Sequence, residues 1–208
     1  MSHQYVNHPR FGSQPRFTGL DPDPNSNDVF LHWNTNILSA AAKQYIKEMF
    51  GHLEETIKTQ NKAIKGTAIP ANIARQTPAT VQVTHYYDIE RPCRDCSSPF
   101  LFFAEEQKYW YEELQFPLES DCIRCYDCRK KLQDINKIRA RYQELCSVDA
   151  MSSEEEAEQA ACRLLLVEEG IFHRRQLEQV RAFMNRYSSH PQVEEFWNRI
   201  KALDAKQG

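Results

Sequence analysis

Two cysteine motifs constrain the fold of this chain more than any other feature of its sequence. Cys93 and Cys96 form one C-x-x-C motif, while Cys122, Cys125 and Cys128 offer two overlapping choices for a second. Two thiolates separated by two residues in a tight turn can reach the same ion at about 2.3 Å, and two such turns complete a tetrahedron. Zn²⁺ suits four thiolates because it accepts sulfur and needs no redox partner. The sequence therefore predicts a zinc site and leaves the second pair open.

Other roles for the cysteines are less well supported. The chain has seven, an odd number, which favours metal ligands or plain buried thiols over disulfides. A redox pair of the thioredoxin type is disfavoured because no βαβ pattern surrounds either motif. The gap from Cys96 to Cys125 exceeds the roughly 15 to 20 residues of compact zinc patterns. An inserted strand and helix account for this excess.

The overall composition indicates a protein with a buried core and no bulk attraction for anionic partners. Hydrophobic residues make up 41% of the chain, and its net charge is −3. No apolar run approaches the roughly 18 to 20 residues of a membrane helix, and the N-terminus lacks the apolar stretch of a secretory signal. We therefore expect a cytoplasmic protein with no membrane partner.

The first segment, residues 1–35, is predicted to be an extended N-terminal arm. It is rich in Pro, Asn, Asp, Gly and Ser, and its stretch "DPDPNSND" is a series of turn signals. The favoured interpretation is a loosely tethered tail. The alternative is an arm that wraps its own domain or a partner through Tyr5, Phe11 and Phe17.

The second segment, residues 36–92, combines a predicted helix with an extended connection. Apolar residues recur at steps of three and four from Leu38 to Ile57, which predicts a helix over residues 36–62. Prolines and β-branched residues follow, and Val81–Tyr87 is a candidate strand. This segment leads directly into the first cysteine motif.

The third segment, residues 93–128, contains five of the seven cysteines. Its stretch "PFLFF" is typical of a buried strand. The following "AEEQKYWYEEL" is typical of a helix, which Pro117 would end. The segment is therefore predicted to carry its cysteine motifs on either side of one strand and one helix.

The fourth segment, residues 129–208, is predicted to be a helical bundle or hairpin. Its apolar residues recur at steps of three and four, and the predicted helices span residues 129–146, 152–169, 173–187 and 191–203. Ser152 or Ser153 before a glutamate run favours a helix start, and Pro191 suits a first helical position. The stripe predicted to face inward in the last helix comprises Val193, Phe196, Trp197, Ile200 and Leu203.

The cysteine segment resembles a zinc-ribbon family found in many small bacterial proteins of unknown function. The resemblance covers about 40 residues, from "CRDCSSPFLFFAEEQKYWYEELQFP" to "RCYDCRKK". The family pattern is C-x-x-C, an aromatic strand, an acidic residue before Gln, an aromatic helix and R-C-x-x-C-R. The matching positions are Cys93, Cys96, Phe102, Phe103, Glu106, Gln107, Tyr109, Arg124, Cys125, Cys128 and Arg129. The resemblance implies no established activity.

The resemblance also implies a ligand set and a fold class. The implied ligands of one Zn²⁺ are Cys93, Cys96, Cys125 and Cys128, which leaves Cys122 over. Four thiolates leave no open position, so the ion would be structural, and its binding free energy would become folding free energy. The expected fold is mainly α, of the α+β class: a small four-cysteine zinc ribbon with an inserted helix, flanked by an N-terminal helix and C-terminal helices.

Charged side chains near the cysteines suggest two further interpretations. Arg94, Arg124 and Arg129 lie beside the implied ligands and could offset the charge of about −2 on a zinc–thiolate centre. The acidic side chains of the insert are expected to form a solvated helix face rather than an acid–base pair. These are Glu105, Glu106, Glu112 and Glu113.

Signs of enzymatic chemistry are lacking in the sequence. The seven histidines are scattered, and none lies between the cysteine pairs, which argues against an HNH-type nuclease. His85 is the nearest candidate and is expected to be a packing or surface residue. No phosphate-binding loop, dinucleotide fingerprint, zinc-protease motif or nucleophile elbow occurs. No small-molecule substrate is implied.

A basic segment after the cysteines leaves two kinds of partner open. Residues 124–144 carry seven Lys or Arg against three acids, while residues 149–169 carry seven acids against Arg163 alone. The favoured interpretation is that the two segments pair with each other, and that the protein presents a surface for protein interaction. The alternative is nucleic-acid binding. Its candidate contacts are Arg129, Lys130, Lys131, Lys137, Arg139 and Arg141.

Overall fold

A computed structural model describes residues 4–31, 62–79 and 82–205, with isolated positions between residues 37 and 48. The helix predicted for residues 36–62 therefore lies outside the described residues. The chain forms two compact units, residues 1–129 and residues 130–208. The first contains the arm and the cysteine motifs, and the second contains most of the C-terminal helical region. The expected α+β class is confirmed.

A three-stranded antiparallel sheet forms the centre of the first unit. Strands β1 (Lys62–Ala63), β4 (Ile89–Pro92) and β5 (Pro99–Phe102) lie in the order β1–β4–β5. A second, two-stranded sheet pairs β2 (Ile69–Pro70) with β3 (His85–Tyr86). The predicted strand Val81–Tyr87 is thus reduced to β3 among the described residues.

The aromatic stretch after the first cysteines forms β5, as predicted, and buries both faces. Phe100, Leu101 and Phe102 are buried, since β5 pairs with β4 on one edge and the inserted helix follows it directly. Ile89 of β4 and Phe102 pack in one core cluster with three cysteines. Those cysteines are Cys93, Cys122 and Cys125.

Helix α1 (Ala104–Lys108) follows β5 and continues as a π-helical turn, Tyr109–Glu113. The first backbone N–H of α1, on Ala104, donates to Asp88 Oδ1 at 2.7 Å, so a carboxylate from another strand end satisfies it. The helix predicted from "AEEQKYWYEEL" is present, with its second half widened. Such π-turns often occur at functional sites.

Helix α2 (Tyr126–Cys146) begins three residues earlier than the predicted helix over residues 129–146. The apolar pattern that predicted this helix begins at Leu132, so it gives no signal for the first turn of α2. The reason for the earlier start is that the second cysteine motif itself winds into the helix: Arg129 N–H donates to the Cys125 carbonyl at 3.0 Å. The boundary between the two units falls within α2, after Arg129.

The second unit contains α3 (Ser153–Glu168), a 3-10 turn (Arg174–Gln176), α4 (Leu177–Arg186) and α5 (Val193–Ala205). Their apolar faces form one core, built of Ala157, Ala160, Leu164, Val167, Leu177, Val180, Phe183, Met184, Phe196 and Ile200. The helix start predicted at Ser152 or Ser153 is a capping box, in which Ser152 and Glu155 satisfy each other's backbone N–H groups. Among the described residues, no helix is long and apolar enough to cross a membrane.

The last helix departs from its predicted pattern in two places. Pro191 lies two residues before the first residue of α5 rather than opening the helix, because Val193 N–H still donates to the His190 carbonyl in a turn. Trp197 was expected to face inward with Phe196, but it is 42% exposed. Phe196 and Ile200 are buried in the core and Val193 and Leu203 pack against it, so the adjacent indole lies at the margin of this face.

The N-terminal arm packs against the first unit rather than hanging free. Val6 N–H donates to the Pro99 carbonyl at 3.0 Å, which extends pairing beyond the edge of β5. Further along, Arg16 N–H donates to Asp88 Oδ2 at 2.8 Å. The same carboxylate therefore binds the arm and the start of α1.

The favoured expectation of a loosely tethered tail is therefore wrong, and the alternative of an arm wrapping its own domain describes the structure. Tyr5 Oη donates to Glu90 at 2.8 Å, and Phe11 stacks on His8 with ring centroids 4.8 Å apart. The third expected anchor, Phe17, is instead 71% exposed. Backbone hydrogen bonds hold the arm at that position.

Candidate metal centre

The first cysteine pair lies in the turn between β4 and β5. Cys93 N–H donates to the Ser98 carbonyl and Ser97 N–H to the Cys93 carbonyl, both at 2.9 Å. Ser97 has φ of 60°, a left-handed conformation that lets the chain turn back tightly. The hairpin thus turns the Cys93 and Cys96 thiols toward the same point.

The second pair is carried by the beginning of α2. Cys125 precedes the helix and Cys128 lies in its first turn. One helical turn places the two thiols on the same side of the helix end. Cys125 N–H also donates to Cys93 Sγ at 3.3 Å, which joins the hairpin to the helix.

The four sulfur atoms fit the coordination shell of one zinc ion. The Sγ atoms of Cys93, Cys96, Cys125 and Cys128 all lie within 4.8 Å of one another, and Cys96 Sγ is 3.8 Å from Cys125 Sγ. A tetrahedron with Zn–S distances of about 2.3 Å requires sulfur atoms roughly 3.8 Å apart. The donor set is closed, so the centre is that of one structural zinc ion.

The opposed pKa shifts of Cys93, Cys125 and Cys128 favour a bound cation at the site. Burial opposes ionisation of Cys93, but hydrogen bonds from the backbone N–H groups of Cys125, Cys96 and Asp95 outweigh it and lower its pKa to about 6. Burial, together with the neighbouring sulfur atoms, raises the pKa of Cys125 and of Cys128. A divalent ion removes this conflict because it stabilises all four thiolates together.

Cys122 lies outside this group. Its side chain is buried in the core, and its Sγ contacts the Arg124 carbonyl at 3.4 Å. Burial raises the pKa of its thiol to about 12. A redox switch at Cys122 would require a solvent-accessible thiol of low pKa. The Cys122 thiol is instead buried and its pKa is raised.

Two of the three arginines beside the ligands, Arg124 and Arg129, pair with carboxylates. Arg124 Nε is 2.7 Å from Asp95, so this pair connects the turn before α2 with the first cysteine turn. Arg129 is 2.7 Å from Glu106 in α1, and its guanidinium lies 5.3 Å from the centre of the Trp110 ring. Offsetting the thiolate charge is thus not the main role of Arg129.

Glu106 and Glu112 correct the expectation of a solvated acidic helix face. Both are buried, with 5% and 2% of their surface exposed. Glu112 accepts the Asn72 N–H at 2.7 Å and lies 3.3 Å from Lys108 Nζ. Asn72 is 40 residues from Glu112, and Arg129 is also distant in sequence from Glu106, so the local pattern gives no sign that these carboxylates are buried.

His8 joins the Glu106–Arg129 pair from the N-terminal arm. Its Nδ1 accepts the Arg10 N–H at 3.2 Å, so Nε2 carries the ring proton and faces Glu106 at 3.6 Å. The ring also lies edge-on to Tyr126, with centroids 5.0 Å apart. Burial lowers the pKa of His8 despite the attraction of Glu106, which favours the neutral ring.

These contacts explain residues that the family pattern shares but the sequence could not interpret. Glu106 binds Arg129, while Gln107 Nε2 donates to the carbonyls of Tyr87 and Phe102. The role of His8 was missed, since it lies far from the cysteines in sequence. Its only signal was the stretch "NHPRFG", which carries no recognised chemistry.

The predicted basic segment is largely paired within the chain. Arg129 pairs with Glu106, Lys130 and Lys137 contact Asp134, Lys131 contacts Glu169, and Arg141 contacts Glu144 and Glu158. Arg139 alone of the six candidate contacts has no ion pair with the described residues. The distances do not test nucleic-acid binding, but they show where the positive charge is offset.

Fold and centre together define a class of protein. A four-cysteine site with one pair in a β-hairpin turn and the other at the start of a helix has the arrangement of a treble clef zinc finger. The zinc-binding domain expected from the sequence is therefore of the treble clef type. Residues 87–137, about a quarter of the chain, match the family model described as "Probable treble clef domain". This part of the chain therefore carries a treble clef zinc-finger-like domain. No curated protein and no solved structure matches the chain.

Proposed function

We propose that this protein uses its structural zinc centre to build a surface that binds another protein. The closed four-cysteine centre carries the proposal, because four thiolates occupy the positions that a substrate or water would need on a catalytic zinc. The zinc ion then stabilises the fold. The binding function depends on the surface residues that the folded domain presents to a partner.

Exposed apolar side chains on the first unit support a protein partner. Tyr109, Leu114 and Phe116 lie in or just after the π-helical turn and are each exposed by about two-fifths. Trp110 beneath them is in edge contact with Phe116. Apolar groups gathered on a surface in this way are typical of interaction sites.

Capture of partners by the tagged full-length chain from its native host tests this proposal. Specific proteins should remain bound after nuclease treatment. A matched bait carrying Lys130→Glu, Lys131→Glu and Arg139→Glu should capture the same proteins, since a protein-binding surface does not require this basic segment. Capture that disappears with nuclease would contradict the proposal.

Nucleic-acid binding is the second candidate, and the unpaired Arg139 in a basic stretch favours it. The exposed ion pairs of this segment are weak enough for phosphate groups to displace their acidic partners. Binding of labelled RNA and DNA should then fall with rising salt and be lost in the triple charge-reversal variant. Equal binding by that variant and the wild type would reject this candidate.

A further inference from the structure

A groove beside α5 in the second unit has features of a binding site that the zinc centre does not explain. Its volume is about 720 Å³, and it lies where the loop before α5 meets the helix. The lining includes His190, Pro191, Glu194, Trp197 and Lys201. The groove is thus formed entirely within the second unit.

Trp197 is the main apolar group of the groove. It is partly exposed, whereas its neighbours Phe196 and Ile200 are buried in the core. An exposed indole contributes little to the free energy of folding, because much of its apolar surface stays in water. Tryptophan is, however, among the residues that contribute most to binding at protein interfaces.

The loop side of the groove is held in place by its own hydrogen bonds. His190 N–H donates to the Tyr187 carbonyl at 2.9 Å, and Gln192 N–H donates to His190 Nδ1 at 3.3 Å. The His190 ring also lies edge-on to Phe183, with centroids 5.5 Å apart. The groove is therefore preformed, which lowers the entropic cost of binding.

Two charges of the groove, Glu194 and Lys201, form no ion pair with any residue that the structure describes. Several other acids and bases of the same unit pair across helices. Examples are Arg199 with Glu168, Arg186 with Glu156, and Arg174 and Arg181 with Asp204. The groove thus offers one free anion and one free cation beside an exposed indole.

We propose that this groove binds an extended segment of a partner protein. The segment places an apolar side chain on Trp197, an acidic side chain at Lys201 and a basic side chain at Glu194. Seven residues of helix separate the two charges by about 10 Å. Alternate side chains of an extended chain share one face, and the chain advances about 3.3 Å per residue, so the acidic, apolar and basic side chains stand at alternate positions. The acidic and basic residues are then four positions and about 13 Å apart, a span that the long side chains of the two partners can match to the groove.

Selection of random phage-displayed peptides on the immobilised, zinc-loaded full-length protein tests this inference. The enriched peptides should share an acidic and a basic residue four positions apart with an apolar residue midway between them. Trp197→Ala and Lys201→Glu should each weaken binding of a labelled enriched peptide by at least about tenfold. Lys201→Glu should itself select peptides with two basic residues.

The matched control is Arg175→Glu, which reverses an exposed cation of the same unit that does not line the groove. It should bind the peptide as the wild type does, and circular dichroism should show all variants folded. No enriched peptide, or equal binding by Trp197→Ala and the wild type, would overturn the inference.

The inference goes beyond the proposed function, since the groove lies in the second unit and the proposed surface in the first, and the two can fail separately. If Trp197→Ala still captures the nuclease-resistant partners from the host, those partners bind outside the groove and the proposed function stands, while peptide selection alone decides the inference. If the wild type captures no such partners, the proposed function itself fails.

Discussion

Cys93 and Cys122 are buried thiols of the same core cluster, yet the structure gives them different chemistry. Three backbone N–H groups surround the sulfur of Cys93 and favour its thiolate, whereas Cys122 contacts a carbonyl oxygen, which only a thiol can satisfy. The surplus cysteine of the sequence is therefore a packing residue. Burial raises the pKa of the Cys122 thiol, whereas at Cys93 the backbone N–H groups outweigh burial.

Substitutions at these two positions should separate ligand from packing residue. Cys93→Ser should abolish zinc binding and lower the melting temperature strongly, because zinc binding contributes to folding free energy. Cys122→Ala should retain one zinc per chain and lose only about 1 to 2 kcal/mol of stability through the small cavity. Metal analysis and thermal unfolding measure both. Zinc retained by Cys93→Ser, or lost by Cys122→Ala, would contradict the assignment.

Asp88 should titrate near neutral pH because it is buried between the arm and α1. Burial raises its pKa to about 6, although the N–H groups of Arg16 and Ala104 oppose the shift. A folded-state pKa above the unfolded value means that the folded chain binds the proton more tightly. The resulting stabilisation is complete below about pH 4 and is lost as the pH rises through 6.

Carbon NMR of the aspartate carboxyl groups provides the measurement. The Asp88 signal should have its midpoint near pH 6 in the zinc-loaded protein. Asp134 is the internal control, since its hydrogen bond to Lys130 lowers its pKa below the usual value. Co-titration of the two signals at about pH 4 would show that burial does not dominate at Asp88.

At the scale of elements, the start of α2 is attached to α1 by the ion pair of the half-buried Arg129 with the buried Glu106. Removing one partner of a fully buried pair costs about 3 to 5 kcal/mol, because the other charge stays buried without compensation. Arg129→Ala should destabilise the first unit by about 2 kcal/mol, less than that range because Arg129 is partly solvated, and Glu106 would keep only the neutral His8 nearby. Chemical denaturation of the zinc-loaded protein measures the change.

The neighbouring Lys130 is the matched control for this prediction. Its ion pair with Asp134 is exposed and spans one turn of the same helix, so Lys130→Ala should change stability by less than about 0.5 kcal/mol. Glu106→Gln combined with Arg129→Ala should cost less than Arg129→Ala alone. Additive losses in the double variant would show that the two residues do not act as a pair.

The sequence predicted elements well where their signals are local. The aromatic strand, the insert helix, α2 and the capped start of α3 all follow from periodicity, turn residues and capping patterns. The predicted helix ends differ from the observed ones by a few residues. The start of α2 was missed because the apolar periodicity used to predict helices does not extend into a first turn that carries cysteines. The two-thiol geometry of each motif is equally local, and so the metal centre was accessible from sequence.

The sequence failed where the deciding contact joins distant parts of the chain. Glu106 is buried because Arg129 and His8 meet it, and Trp197 is exposed because its neighbours already fill the core. Neither outcome leaves a pattern in the adjacent residues. The arm shows the same limit, since its Pro- and Asp-rich composition resembles a free tail while backbone hydrogen bonds hold it to the sheet.

At the scale of the molecule, the two units depend on different sources of stability. The core around the zinc centre is small and includes two of the ligands, Cys93 and Cys125. The core of the second unit is built of aliphatic and aromatic side chains and contains no metal ligand. Each unit is therefore expected to respond differently to loss of the ion.

Chelation of the zinc should unfold the first unit and leave the helices of the second in place. Without the ion, four desolvated thiols no longer hold the β4–β5 hairpin to the start of α2, and a core of this size cannot compensate. Hydrogen exchange should increase across residues 85–129 and stay unchanged in α3, α4 and α5. Zinc added back should restore protection, which excludes damage by the chelator. Loss of protection in α3 to α5 on chelation would show instead that the second core also depends on the metal.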